Sequence, residues 1–272
     1  MLYLQTALFY EAKPFIDVYR LKRVSAPGRF QAYECDNRRL IVSGPGPACA
    51  AAAAAHMLTR HGAGRADIFV NIGSAGSTVF NIGDIVLCHK IINAFTKKSF
   101  YPDMLYKHPF REGALSSVGR PAGDAGYELA DTEGAFVYEA AQTFLPSPRI
   151  HCVKVVSDHL RPGEVTPDGL SKLMAEAAGV IAAWLDALPE PESRAPVFTE
   201  GESRLMDLIS GRLSMSYAMS QKLRGVCARA KAGGLDIETI LSGYSEIITQ
   251  KNEGKKVFAE LTGRLSEGGL FI

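Results

Sequence analysis

The chain has 272 residues, 47% hydrophobic and 22% charged, with a formal net charge of +1, which excludes a disordered chain and predicts a globular protein with a substantial core. The longest apolar candidate, Cys49 to Met57, is mostly alanine and falls short of the roughly 18 residues a membrane-spanning helix needs, so no membrane partner is expected. A nearly neutral chain has no field with which to draw in a polyanion, which argues against nucleic acid as a partner.

The start, Met1 to Gln5, lacks a basic region and leads into a strand pattern, so no signal peptide is expected. Leu2 to Phe9 is an apolar run of strand length, followed by Glu11-Ala12-Lys13-Pro14, where the proline suits a helix's first turn. Phe30 to Cys35 and Leu40 to Ser43 are short strands around the Asp36-Asn37 turn. Gly44-Pro45-Gly46-Pro47 then opens the alanine-rich stretch Ala48 to Arg60, whose small side chains let a helix lie close to a sheet.

Ile68 to Ile72 is a buried-strand pattern running into a glycine turn, Gly73 to Ser77, and Gly83 to Leu87 begins another strand. Ala130 to Phe144 has helical spacing, with Phe136, Val137, Ala140 and Phe144 on one face. Ile150 to Val156 is a third apolar strand ending at Ser157-Asp158, and Leu170 to Leu188 is an amphipathic helix closed by Pro189-Glu190-Pro191. Beyond it, Thr199 or Glu200 can cap a helix carrying Leu205, Leu208, Ile209, Leu213, Met219, Leu223, Val226 and Cys227. Shorter helical stretches follow over Ile237 to Thr249 and Lys255 to Leu265. Residues 189–272 hold 11 Lys+Arg against 11 Asp+Glu, a balance that favours a packing or oligomer-forming appendage over a DNA-binding one.

This order predicts the α/β class, a mainly parallel or mixed central sheet flanked by helices, over residues 1–188, with an all-helical C-terminal extension over 189–272. In such sheets ligands bind beyond the carboxyl ends of the strands, which places Glu11, Ser74 and Asp158 on one rim. The five cysteines are far apart, without metal-ligand spacing, and read as reduced thiols in the core of a cytoplasmic protein. The six histidines show no pairing.

Four segments, in order, carry a resemblance: Ser43-Gly44-Pro45-Gly46; Asn71 to Gly76 followed by Gly83-Asp84-Ile85-Val86; Asp131 to Ala135; and Val155 to Asp158. Over roughly residues 1 to 187 the chain resembles the nucleoside phosphorylase and nucleosidase superfamily. Its Ser-Ala-Gly loop and early Glu11 are most similar to the methylthioadenosine/S-adenosylhomocysteine nucleosidases.

The resemblance implies cleavage of the N-glycosidic bond of a purine nucleoside, with or without a 5′ substituent, by proton transfers that need no cofactor and no metal. Asp158 is then the acid that protonates the departing base, a kind of catalysis worth roughly 10²- to 10⁴-fold; the plainer alternative is an aspartate capping a loop. Glu133 accepts hydrogen bonds from the ribose hydroxyls, where the alternative is a helix-start carboxylate held by the helix dipole. Glu11 activates water, against a first-turn helix glutamate. Ser74, Ala75, Gly76, Thr132 and Ser157 line the substrate, and family members complete their pockets across a dimer interface, which implies a homodimer or higher homo-oligomer.

Phosphate-dependent phosphorolysis is the first alternative. Gly44 to Pro47 makes a poor anion cradle because its prolines lack N–H groups, although Arg38, Arg39 and Arg60 offer charge. A nucleoside-binding protein without turnover is the second. Only 44 residues separate Val86 from Asp131, fewer than the nucleosidase pattern has, so Leu115 to Ala125 must grip the base in shortened form. Thr132 replaces a methionine, and the tail has no counterpart in the minimal enzyme. Phe100 to Met104 is a loop whose aromatics can stack on a base, pack in the core or meet a second subunit.

Overall fold

In chain order the elements are β1 (Leu2–Thr6), α1 (Phe9–Val18), β2 (Lys22–Val24), β3 (Gln31–Cys35), β4 (Arg38–Val42), α2 (Pro47–Arg60), β5 (Ile68–Gly76), β6 (Ile85–Asn93), β7 (Ser99–Phe100), β8 (Arg111–Ser117), β9 (Leu129–Asp131), α3 (Gly134–Ala141), β10 (Ile150–Asp158) and α4 (Pro167–Asp186). Four helices follow: α5 (Glu200–Arg212), α6 (Tyr217–Ala232), α7 (Ile237–Ser242) and α8 (Lys251–Glu267). The computed structural model describes residues 1–25, 28, 30–119, 127–161, 165–188, 197–244 and 251–267. It divides into two compact units, Met1–Pro191 and Glu192–Ile272.

In the first unit β1 lies parallel between β4 and β5, and β5 lies parallel to β10. β6 is antiparallel to β10 and parallel to β8, β8 is parallel to β9, and β9 returns antiparallel to β5. The strands β5, β10, β6, β8 and β9 therefore form a closed circuit, and β1, β4, β3 and β2 extend from it as an open wing.

Successive side chains on a strand point to opposite faces, and the core divides accordingly. Tyr3, Ile41 and Phe69 join one apolar layer with α2 and α3. Their neighbours Leu4, Leu40 and Val70 join another with α1 and α4. Ala50, Ala53 and Ala54 of α2 are wholly buried, and their single methyl groups let the helix lie close against the sheet. Among the described residues no helix is long and apolar enough to cross a membrane.

Several elements differ from the sequence expectation. The glycine turn expected over Gly73 to Ser77 is instead, as far as Gly76, the end of the nine-residue strand β5, and Ser157 and Asp158 belong to β10. α1 begins at Phe9, so Pro14 lies inside the helix, because the Glu11 carboxylate reaches back to cap the chain at Ala7 and Leu8. The helix expected from Ala130 starts at Gly134, after the strand β9. The closing prolines near residue 190, residues 120–125 of the segment expected to hold the base, and residues 245–249 of the expected tail helix lie outside the described residues.

The second unit packs Met206, Ile209, Leu223, Cys227, Leu241 and Leu261 into a core of its own. Thr199 caps α5 in a reciprocal box with Glu202. The single long helix expected here is two, α5 and α6, with Ser216 capping the second.

Candidate active site

A cavity of about 230 Å³ opens where the ends of β1, β5, β9 and β10 meet the starts of α1 and α3, and Glu11, Glu133 and Asp158 all line it. Ser74, Ala75, Gly76, Thr132 and Ser157 line it too. Side chains spread over nearly 150 positions of sequence thus converge on one cleft.

Glu11 is buried and fully engaged. Its Oε2 accepts the Ala7 and Leu8 N–H groups, each at 3.0 Å. Its Oε1 accepts both the N–H and the hydroxyl of Ser74, each at 2.8 Å. Four donors match the roughly four lone-pair sites of a carboxylate, which fixes its place. One cluster of bonds therefore starts α1 and ties it to β5.

Glu133 is the N-cap of α3, and its Oε1 accepts the Gly46 N–H at 2.8 Å as well as the Thr132 hydroxyl. Gly46 has φ +100°, a conformation open to glycine at little cost. The Gly-Pro-Gly-Pro turn thus spends that amide on a carboxylate of the same chain.

Asp158 Oδ1 accepts the Arg161 N–H at 2.9 Å, and the Ser157 hydroxyl lies 2.8 Å from Oδ2. Gly76 makes room for it: a Cβ there would lie 2.8 Å from Asp158 Oδ1, 2.7 Å from Leu160 Cδ2 and 3.2 Å from the Leu160 Cα.

The sequence reading missed a buried polar cluster at the cavity. Lys154 Nζ lies 2.8 Å from Asp131 Oδ2 and donates to Asn71 Oδ1 at 3.0 Å. Asp131 also accepts from the Ser117 hydroxyl at 2.6 Å and the Gly134 N–H at 2.8 Å. Burial works against the lysine's charge, but the adjacent Asp131 carboxylate outweighs it and holds Lys154 above its usual range. Gln5, wholly buried, also lines the cavity, with its Nε2 donating to the Ala50 carbonyl at 2.8 Å.

The arginines considered for charge do not line this cavity. Arg38 pairs with Asp186 at 2.7 Å, Arg39 with Glu34 at 3.3 Å, and Arg60 donates to the Ser25 carbonyl at 3.0 Å. The aromatics of the 100–104 loop do not line it either: Phe100 packs on Tyr138, and Tyr101 lies under Lys90. No disulfide joins any of the five cysteines, of which Cys88, Cys152 and Cys227 are buried and Cys35 and Cys49 half-buried.

Residues 4–158 match the family model of the phosphorylase superfamily. No curated protein matches the chain. Its fold is similar to that of the 5′-methylthioadenosine nucleosidase of Arabidopsis thaliana, with 16% identity, a TM-score of 0.58, and coverage of 70% of this chain and 96% of that one. The 5′-methylthioadenosine/S-adenosylhomocysteine nucleosidase of Neisseria meningitidis, in complex with methylthio-immucillin-A, is 20% identical with a TM-score of 0.57, covering 69% and 99%. A futalosine hydrolase mutant of Helicobacter pylori is 15% identical with a TM-score of 0.53, also covering 69% and 99%.

Proposed function

This chain belongs to the phosphorylase superfamily, and on that footing we propose that it hydrolyses the N-glycosidic bond of a purine nucleoside, with or without a 5′ substituent. The observation that carries the proposal is the convergence of Glu11, Glu133 and Asp158 on one cavity.

Departure of a purine leaves positive charge on the sugar and negative charge on the base. Asp158 relieves the second by protonating the base, and Ser157 and the Arg161 N–H hold its carboxyl in place. Glu133 holds the sugar hydroxyls and offers nearby negative charge to the developing cation. Glu11 takes the proton of the attacking water. Among the described residues the Ser74 hydroxyl is the one side-chain donor on Glu11, so its rotation opens a lone pair to that water.

Water fits the cavity better than phosphate does. Its lining includes four carboxylates, Glu11, Asp131, Glu133 and Asp158, and one cation, Lys154, already engaged by Asp131 and Asn71. A phosphate dianion would meet repulsion there, with no free cation among the described lining residues to offset it.

A homodimer accompanies this reading: Phe95, Tyr101 and Leu105 are 59%, 64% and 65% exposed, apolar side chains suited to burial by a second copy. Cysteines that form no disulfide suit a cytoplasmic setting.

The test is mass spectrometry of a purine nucleoside panel incubated with the protein in phosphate-free buffer. Release of free purine and free sugar is expected. Release only when phosphate is added would replace hydrolysis with phosphorolysis, and tight binding without release would leave a binding protein.

A further inference from the structure

We infer that Thr132 is a positioning residue that turns Glu133 toward the sugar and so sets how strongly the site prefers a hydroxylated ribose. The inference rests on the reading above, in which Glu133 receives the sugar.

The carboxylate oxygens of the site differ in how many protein donors they hold. Glu133 Oε1 takes two donors, the Gly46 N–H and the Thr132 hydroxyl, which fill the two lone-pair sites of that oxygen. Among the described residues no protein donor reaches Oε2, on a side chain that lines the cavity. The carboxylate is therefore held by one oxygen and presents the other. Glu11, by contrast, has both oxygens occupied by protein donors. Of the three proposed catalytic or sugar-binding carboxylates, Glu133 is the one left with an oxygen free of protein donors.

The Thr132 hydroxyl is itself well fixed. It follows Asp131, whose carboxylate is locked by Ser117, Gly134 and Lys154, so the backbone that carries Thr132 has little freedom. Without the hydroxyl, Gly46 alone holds Oε1, and the carboxylate can swing or exchange its oxygens. A sugar hydroxyl must then recruit Glu133 rather than meet it in place, and pre-organisation is lost.

The experiment compares Thr132→Val with the unaltered protein on two substrates, the best nucleoside of the panel above and its 2′,3′-dideoxy counterpart. For the riboside, kcat/KM is expected to fall about tenfold, as for the loss of a hydrogen bond to a charged group, mainly through KM. For the dideoxy compound the fall is several-fold smaller, because there is no hydroxyl for Glu133 to receive. Thr132→Ser restores the riboside. In a Glu133→Ala background, calorimetric affinity for the riboside is unchanged by adding Thr132→Val.

An equal fall for both sugars, or a further tenfold loss in the Glu133→Ala background, overturns the inference while leaving the proposed function intact. If the unaltered protein neither binds nor cleaves any purine nucleoside, the functional reading fails and takes the inference with it. Thr132→Ala, checked by thermal melting, serves as the second variant should the valine protein not fold.

Discussion

Asp131 and Lys154 meet at 2.8 Å where their side chains are only 3% and 4% exposed. Lys154 sits in the middle of β10, and Asp131 ends β9, two strands that each pair with β5. Removing one partner of such a pair strands the other as a buried charge, at a cost of about 3–5 kcal/mol. Lys154→Met should lose that much in urea unfolding, and adding Asp131→Asn should recover part of it. A loss below about 1 kcal/mol would show that Asp131 is hydrated once its partner is gone.

Asp158→Asn keeps the shape of the side chain but has no acidic proton to give. Turnover should fall by about 10²- to 10⁴-fold with the melting temperature nearly unchanged. Retained activity in a purine-release assay would remove Asp158 from the mechanism.

Gly76→Ala tests the same residue from the strand beside it. The new Cβ would overlap Asp158 Oδ1 and press on Leu160, and Leu160 has φ +60°, so its backbone has little scope to move away. Activity should drop toward that of Asp158→Asn, with a stability loss of about 1–3 kcal/mol from overpacking. An active, stable alanine variant would mean that Asp158 tolerates displacement.

Glu11→Gln places an amide N–H₂ where the structure provides only donors: Ala7, Leu8 and Ser74. Both function and folding should suffer, with activity down at least about 100-fold and stability down about 1–3 kcal/mol. Steady-state kinetics and chemical denaturation of the same preparation read the two losses separately.

His151 gives a pH dependence. Burial, reinforced by the charge of Arg149, pushes it down to about 4, below the roughly 6.5 of an unfolded chain. Between those values the unfolded state binds the extra proton. The stability this contributes is therefore full above about pH 6.5 and is lost as pH falls toward 4, amounting to about 3 kcal/mol. His151→Phe preserves a ring against Trp184 and Tyr106 and should flatten that acid limb when urea midpoints at pH 7 and pH 4.5 are compared.

The places of Glu11 and Asp158 on one rim were legible because each lies at the end of an apolar run, β1 and β10, whereas Glu133, in a stretch that reads as helix from Ala130, was picked out by the resemblance. Lys154 was not legible. It interrupts an apolar strand from within, and its partner lies 23 positions earlier, in a stretch that reads as the start of a helix. β8, Arg-Glu-Gly-Ala-Leu-Ser-Ser, has no β-branched or aromatic residue, so its strand state comes from pairing with β6 and β9 rather than from propensity. The break between α5 and α6 falls at Leu-Ser-Met-Ser, without proline or glycine, where only the Ser216 cap marks a new start.

The closed circuit of β5, β10, β6, β8 and β9 also bears on how the protein behaves at high concentration. Strands within a ring have no unpaired side, so they offer no template on which a neighbouring molecule could extend the sheet. At the far end of the open wing that hazard falls to β2, which is three residues long and places the exposed cations Lys22 and Arg23 on the outermost strand. Short length and like charge both discourage edge-to-edge stacking, so the closed ring and the charged outer strand together guard the chain against fibril-like association.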